Sequence, residues 1–188
     1  MNGWRTVDIV VCAAIGVAFG VVFWAWGLAW APLFSGVPNP AVYLLSGVWL
    51  IPAVLGPLVV RQPGAALLAE TMAAVVSAFL GSTWGLDTIV SGLMQGAGAE
   101  LVFAIGLYRS WGLIMAGLAG AGAAFGEWLH DMTVYFPNIA FGVQLAYGAW
   151  MLASGMLVAG LGSWFLLRAM LPTGVLDPFP SGRSRSAV

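Results

Sequence analysis

Apolar residues run along this chain in stretches of about twenty, broken by short clusters of Gly, Pro and polar residues. Stretches long enough to cross the ~30 Å hydrocarbon core of a bilayer fall near residues 6–31, 41–60, 63–81, 86–107, 111–132 and 140–170. The breaks between them are Ser35-Gly36-Val37-Pro38-Asn39-Pro40, Gln62-Pro63-Gly64, Gly81-Ser82-Thr83-Trp84-Gly85, Tyr108-Arg109-Ser110 and Phe136-Pro137-Asn138. The pattern predicts an all-α membrane protein, a six-transmembrane-helix bundle over residues 1–171, followed by a short polar tail over 172–188. The first and last stretches exceed one bilayer crossing and are expected to tilt or to extend past it.

Composition excludes a soluble protein. Hydrophobic residues make up 61% and charged residues 7% of the chain, against about 25% charged in soluble domains. Ten Trp suit membrane interfaces, and 26 Gly let helices approach closely. Cys12 is the single cysteine, so no intrachain disulfide forms; its expected role is that of a small buried apolar residue. No nucleic-acid partner is expected.

Charge sets the orientation. The chain has no lysine, and its arginines are Arg5, Arg61, Arg109, Arg168, Arg183 and Arg185. They fall before the first stretch, in alternate connections, and at the end of the last stretch and beyond it, which predicts both termini in the cytoplasm. The residues before Asp8 are too few and too weakly basic for a cleaved leader, so the first helix is expected to remain as a span in a multi-pass plasma-membrane protein.

With that orientation, depth follows from counting. Glu70 lies nine residues after Arg61 and Glu100 nine before Arg109, so each sits ~13 Å from the cytoplasmic boundary. Ionisable groups at such depth mark a ligand or ion site by default; the competing reading is a structural carboxyl joining the third and fourth helices. Gln95 shares a helical stripe with Thr88 and Ser91, whereas Glu100 is ~140° round the helix from Gln95, which argues against one pocket touching both. Of the two, Gln95 is expected in the pocket wall and Glu100 in a structural or gating role. Glu127, His130 and Asp131 share one face near the outer end of the fifth helix. They either close an outer mouth or meet a cation, or they form a solvated helix end. One histidine is too little for a metal centre, and no metal or cofactor is expected.

The aromatic residues divide similarly. Trp24, Trp26 and Trp30 read as interfacial belt residues. Trp84, in a turn beside the Gln95 stripe, reads as a stacking face, a lid or an anchor; Trp49 and Tyr147, the latter paired with Trp150, as pocket wall or core. On the first helix, Ala14 with Ala18 and Gly16 with Gly20 are spaced to meet another helix, in a partner or in the chain's own bundle.

Three segments carry a family resemblance: Arg61-Gln62-Pro63-Gly64-Ala65-Ala66-Leu67-Leu68-Ala69-Glu70, the turn Gly81-Ser82-Thr83-Trp84-Gly85, and Gln95-Gly96-Ala97-Gly98-Ala99-Glu100-Leu101-Val102-Phe103-Ala104. In this order they resemble the central block of the YkoE-type substrate-binding (S) components of energy-coupling factor (ECF) vitamin transporters. The resemblance implies capture of thiamine or its hydroxymethylpyrimidine precursor from outside. It also implies docking, through helix 1, on a transmembrane coupling subunit that works with separate ATPase subunits. A chain without lysine cannot build a Walker A loop, which agrees with a subunit that does not itself use ATP.

A thiamine-like ligand offers a planar face, an amine-plus-ring-nitrogen edge and a cationic ring. Glu70, Gln95, Trp84, Glu100, Trp49, Glu127, His130 and Tyr147 are the candidate contacts. Two other classes stand beside this reading. One is an intramembrane hydrolase using Ser82 and His130, against which the turn at Ser82 is not a Gly-x-Ser-x-Gly elbow. The other is a structural membrane subunit with no ligand.

Overall fold

The computed structural model describes residues 3–34 and 40–183; the expected break at Ser35-Gly36-Val37-Pro38-Asn39 and Arg185 lie outside the described residues. Among the described residues every regular element is helical. The α-helices are α1 (Thr6–Phe34), α2 (Ile51–Val60), α3 (Ala65–Phe79), α4 (Asp87–Ile105), α5 (Leu113–Val134), α6 (Phe141–Ser154), α7 (Gly162–Met170) and α8 (Pro180–Arg183). A 3-10 stretch, Pro40–Leu50, runs straight into α2, and a π turn, Gly155–Leu161, joins α6 to α7.

Four stretches are long and apolar enough to cross a membrane: Thr6–Trp30, Pro40–Val60, Asp87–Ile105 and Phe141–Thr173. The apolar α3 has only 15 residues, about 22 Å of helix. The 22-residue α5 has its hydropathy diluted by glycines and by Glu127 and His130.

Side-chain size is distributed as lipid demands. The core is built largely of alanines, among them Ala65, Ala66, Ala69, Ala73, Ala99, Ala119 and Ala123, while Phe79, Leu86, Ile105 and Ile114 stand exposed. Without a hydrophobic drive between helices in lipid, association rests on close backbone approach, which small residues permit. The limit is reached where α4 crosses α5: a Cβ on Gly122 would sit 2.5 Å from the Gly98 carbonyl oxygen. Likewise Gly120 of α5 abuts the backbone of Gly155 at the π turn. On α1, a Cβ at Gly16 or Gly20 would lie 2.8 Å from the carbonyl oxygen of Ala69 or Ala73 respectively. These two glycines therefore pack against α3 inside the chain, and of the four small residues expected at a partner surface only Ala14 and Ala18 face outward.

The second predicted helix is not α-helical throughout: its first part, Pro40–Leu50, is 3-10, and Ser154 bonds into it. Its hydroxyl donates to the Leu44 carbonyl at 2.5 Å and accepts from the Gly47 N–H at 2.7 Å, so it stands inside the backbone ladder of the 3-10 stretch. A side chain inserted in this way takes the place of one backbone pair, here between the Leu44 carbonyl and the Gly47 N–H. Gly47 admits it, since any Cβ there would strike Ser154 and Val158.

Residues 171–183 fold back on the bundle instead of trailing away. Leu176 and Phe179 are buried, and Ser181 Oγ donates to the Val59 carbonyl at the end of α2 (2.9 Å). Arg5 ties this strap to α1: its guanidinium pairs with Asp8 at 2.6 Å and donates to the Pro178 carbonyl at 3.1 Å.

Candidate functional site

One end of the bundle holds a cavity of about 480 Å³, within the range that takes a small heterocycle. Trp30 of α1, Tyr43 and Trp49 of the 3-10 stretch, Trp84 of the α3–α4 turn and Phe136 form one wall; Asp87, Thr88, Ser91 and Gln95 of α4 with Glu127 and Asp131 of α5 form the other. Aromatic faces thus look across at carboxylates and amides.

The aromatic wall is a continuous edge-to-face chain. Ring centroids of Trp84 and Trp49 are 5.4 Å apart, of Trp49 and Trp30 4.8 Å, and of Trp30 and Tyr43 5.9 Å, all near perpendicular. Such packing fixes ring orientation. Trp49 Nε1 donates to the Phe23 carbonyl at 3.2 Å, turning its apolar body into the cavity. Trp84 fits against α1 because Gly27 leaves it room: a Cβ there would be 3.2 Å from the indole. Tyr147 does not line the cavity; it packs behind the wall, 4.9 Å from Tyr43 and stacked on Phe136 at 5.7 Å.

On the polar wall, Gln95 Nε2 donates to Ser91 Oγ at 2.8 Å, and Ser91 Oγ donates to Glu127 Oε2 at 2.7 Å. Gln95 is 4% exposed, and its carbonyl oxygen has no hydrogen-bond partner among the described residues. A buried acceptor left unpaired costs about 1–3 kcal/mol, which a ligand donor recovers. Near the mouth, His130 Nε2 lies 3.3 Å from Asp87 Oδ1, and Tyr135 donates to the other oxygen of Asp87. Burial first, and then Asp87, hold the Tyr135 hydroxyl well above the ordinary phenol range, so it stays a donor at neutral pH.

Of the candidate contacts named from sequence, Gln95, Trp84, Trp49 and Glu127 line this cavity and meet there, together with Ser82, Thr88, Ser91 and Asp131. His130 lies just behind it. Glu70 and Glu100 are elsewhere, and each serves the start of a helix. Glu70, fully buried, accepts the Ala53 N–H in the first turn of α2 at 2.8 Å. Glu100 accepts the Gly64 and Ala66 N–H groups at the start of α3 (2.6 and 3.0 Å) and the Tyr108 hydroxyl at 2.7 Å. Neither helix start has a side-chain cap of its own, and first-turn N–H groups attract negative charge. That need accounts for both oxygens of Glu100 and for one of Glu70, whose other oxygen is buried without a hydrogen-bond partner among the described residues.

Sequence reasoning missed Trp30, Tyr43 and Asp87. Trp30 looked like its interfacial neighbours, and Tyr43 had no polar stripe beside it. Asp87 had a signal: it stands one turn before Ser91 and two before Gln95 on the same stripe. The hydrolase reading lacks its first requirement, since Ser82 pairs with Thr88 at 2.8 Å and His130 with Asp87.

Comparison with known proteins agrees with this architecture. Residues 7–126 match a family described as ABC-type cobalt transport system, permease component. The chain is 33% identical, over 97% of its length and 92% of the relative's, to a Bacillus subtilis (strain 168) protein named as an HMP/thiamine permease protein, YkoE. It also superposes on the crystal structure of an S-component of an ECF transporter with a TM-score of 0.90 at 32% identity, over 98% of this chain and 94% of that one. Similarity over nearly the whole length, in sequence and in fold, assigns the chain: it belongs to the family of YkoE-type S components of energy-coupling factor transporters.

Proposed function

We propose that this protein captures thiamine or its hydroxymethylpyrimidine precursor from outside the plasma membrane and passes it to a coupling subunit driven by separate ATPases. The observation that carries the reading is the Gln95 carbonyl oxygen, unpaired and buried beside Glu127 in a cavity walled by Trp30, Trp49 and Trp84. In this reading the aminopyrimidine amine donates to Gln95, the ring lies on the tryptophan wall, and the carboxylates balance a thiazolium charge. The name of the B. subtilis relative supports the same ligand class. Ala14 and Ala18, with Val10, Val17 and Val21 exposed beside them, are the face of α1 offered to the coupling subunit. Reconstituted alone in vesicles, the chain is expected to bind thiamine saturably without ATP-dependent accumulation; concentrative uptake with no second protein would overturn the assignment.

The membrane topology belongs to the same proposal: six spans, both termini cytoplasmic, the cavity opening outward. Its support is the charge pattern, with Arg5, Arg61, Arg109 and Arg168 gathered away from the end that carries Trp84 and Asp87. Single cysteines at Arg109 should react with impermeant reagent only from the cytoplasm and at Gly85 only from outside. The opposite accessibility would reverse the direction of capture.

A further inference from the structure

Asp87, Glu127 and Asp131 line the cavity, no arginine lines it among the described residues, and the chain has no lysine. The basic side chain beside these carboxylates is His130, 4% exposed behind the polar wall. Its Nε2 lies 3.3 Å from Asp87 Oδ1 and its Nδ1 3.6 Å from Asp131 Oδ1, so a single imidazole stands between two carboxylates and balances one of them at most. The cavity therefore keeps an excess of negative charge. Like charge brought into a partly buried site is penalised far more than in water. That a ligand enters here is signalled separately by the Gln95 carbonyl oxygen, buried in the same wall without a hydrogen-bond partner among the described residues.

Gln95 and Asp87 mark the two ends of that wall. They are two turns apart on α4, about 12 Å along its axis, a span comparable with the two linked rings and two-carbon arm of thiamine. With the aminopyrimidine edge on Gln95, the hydroxyl at the end of that arm falls at the mouth, beside Asp87 and Asp131. The hydroxyl groups of the protein there are already partnered: Tyr135 donates to Asp87, and Ser82 and Thr88 pair with each other. One feature of the fold would draw a phosphate, the first turn of α4, whose N–H groups carry the positive end of the helix dipole. Asp87 stands in that first turn and places a carboxylate there instead.

We propose that Asp87, supported by Asp131, restricts the cavity to the free alcohol of the vitamin and turns away its phosphate esters. A phosphate on the arm adds about 1.5 to 2 negative charges at neutral pH, and at the mouth it meets two carboxylates. The rings and the thiazolium charge are the same in both compounds, so the difference between their affinities reads the mouth alone. This specificity rests on the capture of thiamine proposed above and names the form that is captured.

The experiment is calorimetric titration of the full chain in detergent, at one fixed low ionic strength, with thiamine and with thiamine monophosphate. Wild type should prefer thiamine by about a hundredfold or more. In Asp87→Asn the preference should fall by about tenfold or more, with the monophosphate gaining affinity in absolute terms while thiamine gains none. Asp131→Asn should move in the same direction to a smaller extent. Loss of a merely structural contact would weaken both ligands together; that result, or a preference unchanged in both variants, would overturn the proposal. So would equal affinities in wild type, a comparison that needs no variant to fold and that leaves capture of thiamine standing. A wild-type chain that binds neither thiamine, its monophosphate nor hydroxymethylpyrimidine would overturn the capture reading, and this specificity with it.

Discussion

Replacing Glu127 with Gln is expected to weaken thiamine binding by roughly ten- to a hundredfold, and Gln95→Ala by about five- to a hundredfold, with both variants still extractable as folded protein. The two side chains are linked through Ser91, which accepts from Gln95 and donates to Glu127. Removing the carboxylate charge costs a charge-assisted contact of about 1.5–3 kcal/mol, and removing the amide costs a neutral one. Glu70→Gln should behave differently. Its carboxylate caps α2 through Ala53 and does not line the cavity, so melting temperature should fall while affinity holds. Calorimetry and thermal melting on the same three variants separate the roles: a large affinity loss in Glu70→Gln with none in Gln95→Ala would move the site towards the middle of α3.

The second large effect is structural. Gly98→Leu or Gly120→Leu should abolish recovery of folded, monodisperse protein. At Gly98 a Cβ would meet the Gly122 carbonyl of α5, and at Gly120 the Gly155 carbonyl of the π turn. Backbone cannot yield as a flexible side chain does, so helix separation is forced, at a cost of several kcal/mol on the scale of severe overpacking. Gly162→Ala supplies the contrast. A Cβ there meets nothing within 4 Å, and Ala favours a helix interior by about 0.5–1 kcal/mol. Size-exclusion profiles of the extracted variants read the difference; a monodisperse Gly98→Leu would mean that the α4–α5 crossing is looser than described.

The all-α architecture was legible because lipid imposes one strong rule, an apolar stretch of bilayer length between polar breaks. What the rule cannot see is hydrogen bonding between distant segments. Within Pro40–Leu50, the Leu44 carbonyl and the Gly47 N–H both bond to Ser154, more than a hundred residues away in sequence. The same limit hides what Glu70 and Glu100 bond to. Depth alone made them ligand candidates, but their partners are backbone N–H groups at the starts of α2 and α3, and nothing in their spacing announces a cap formed across helices. Gln95 was legible because Thr88 and Ser91 continue its stripe. The angular argument that separated Gln95 from Glu100 holds in the fold, where the first faces the cavity and the second the α2–α3 loop. Trp30 was lost among three tryptophans of similar aspect, and only the placement of Tyr43 and Trp49 against it distinguishes a cavity wall from an interfacial belt.

In the proposed function, the cavity between the tryptophan wall and the Gln95–Glu127 wall holds the transported vitamin. Thermal melting of the purified chain, alone in detergent, with and without thiamine tests it most directly. A ligand at a hundred times its dissociation constant stabilises the folded state by about 2.7 kcal/mol, so a clear upward shift is predicted, abolished in Trp49→Ala and unaffected by Asp177→Asn. A folded chain whose melting is moved by neither thiamine nor hydroxymethylpyrimidine at millimolar concentration would contradict the account.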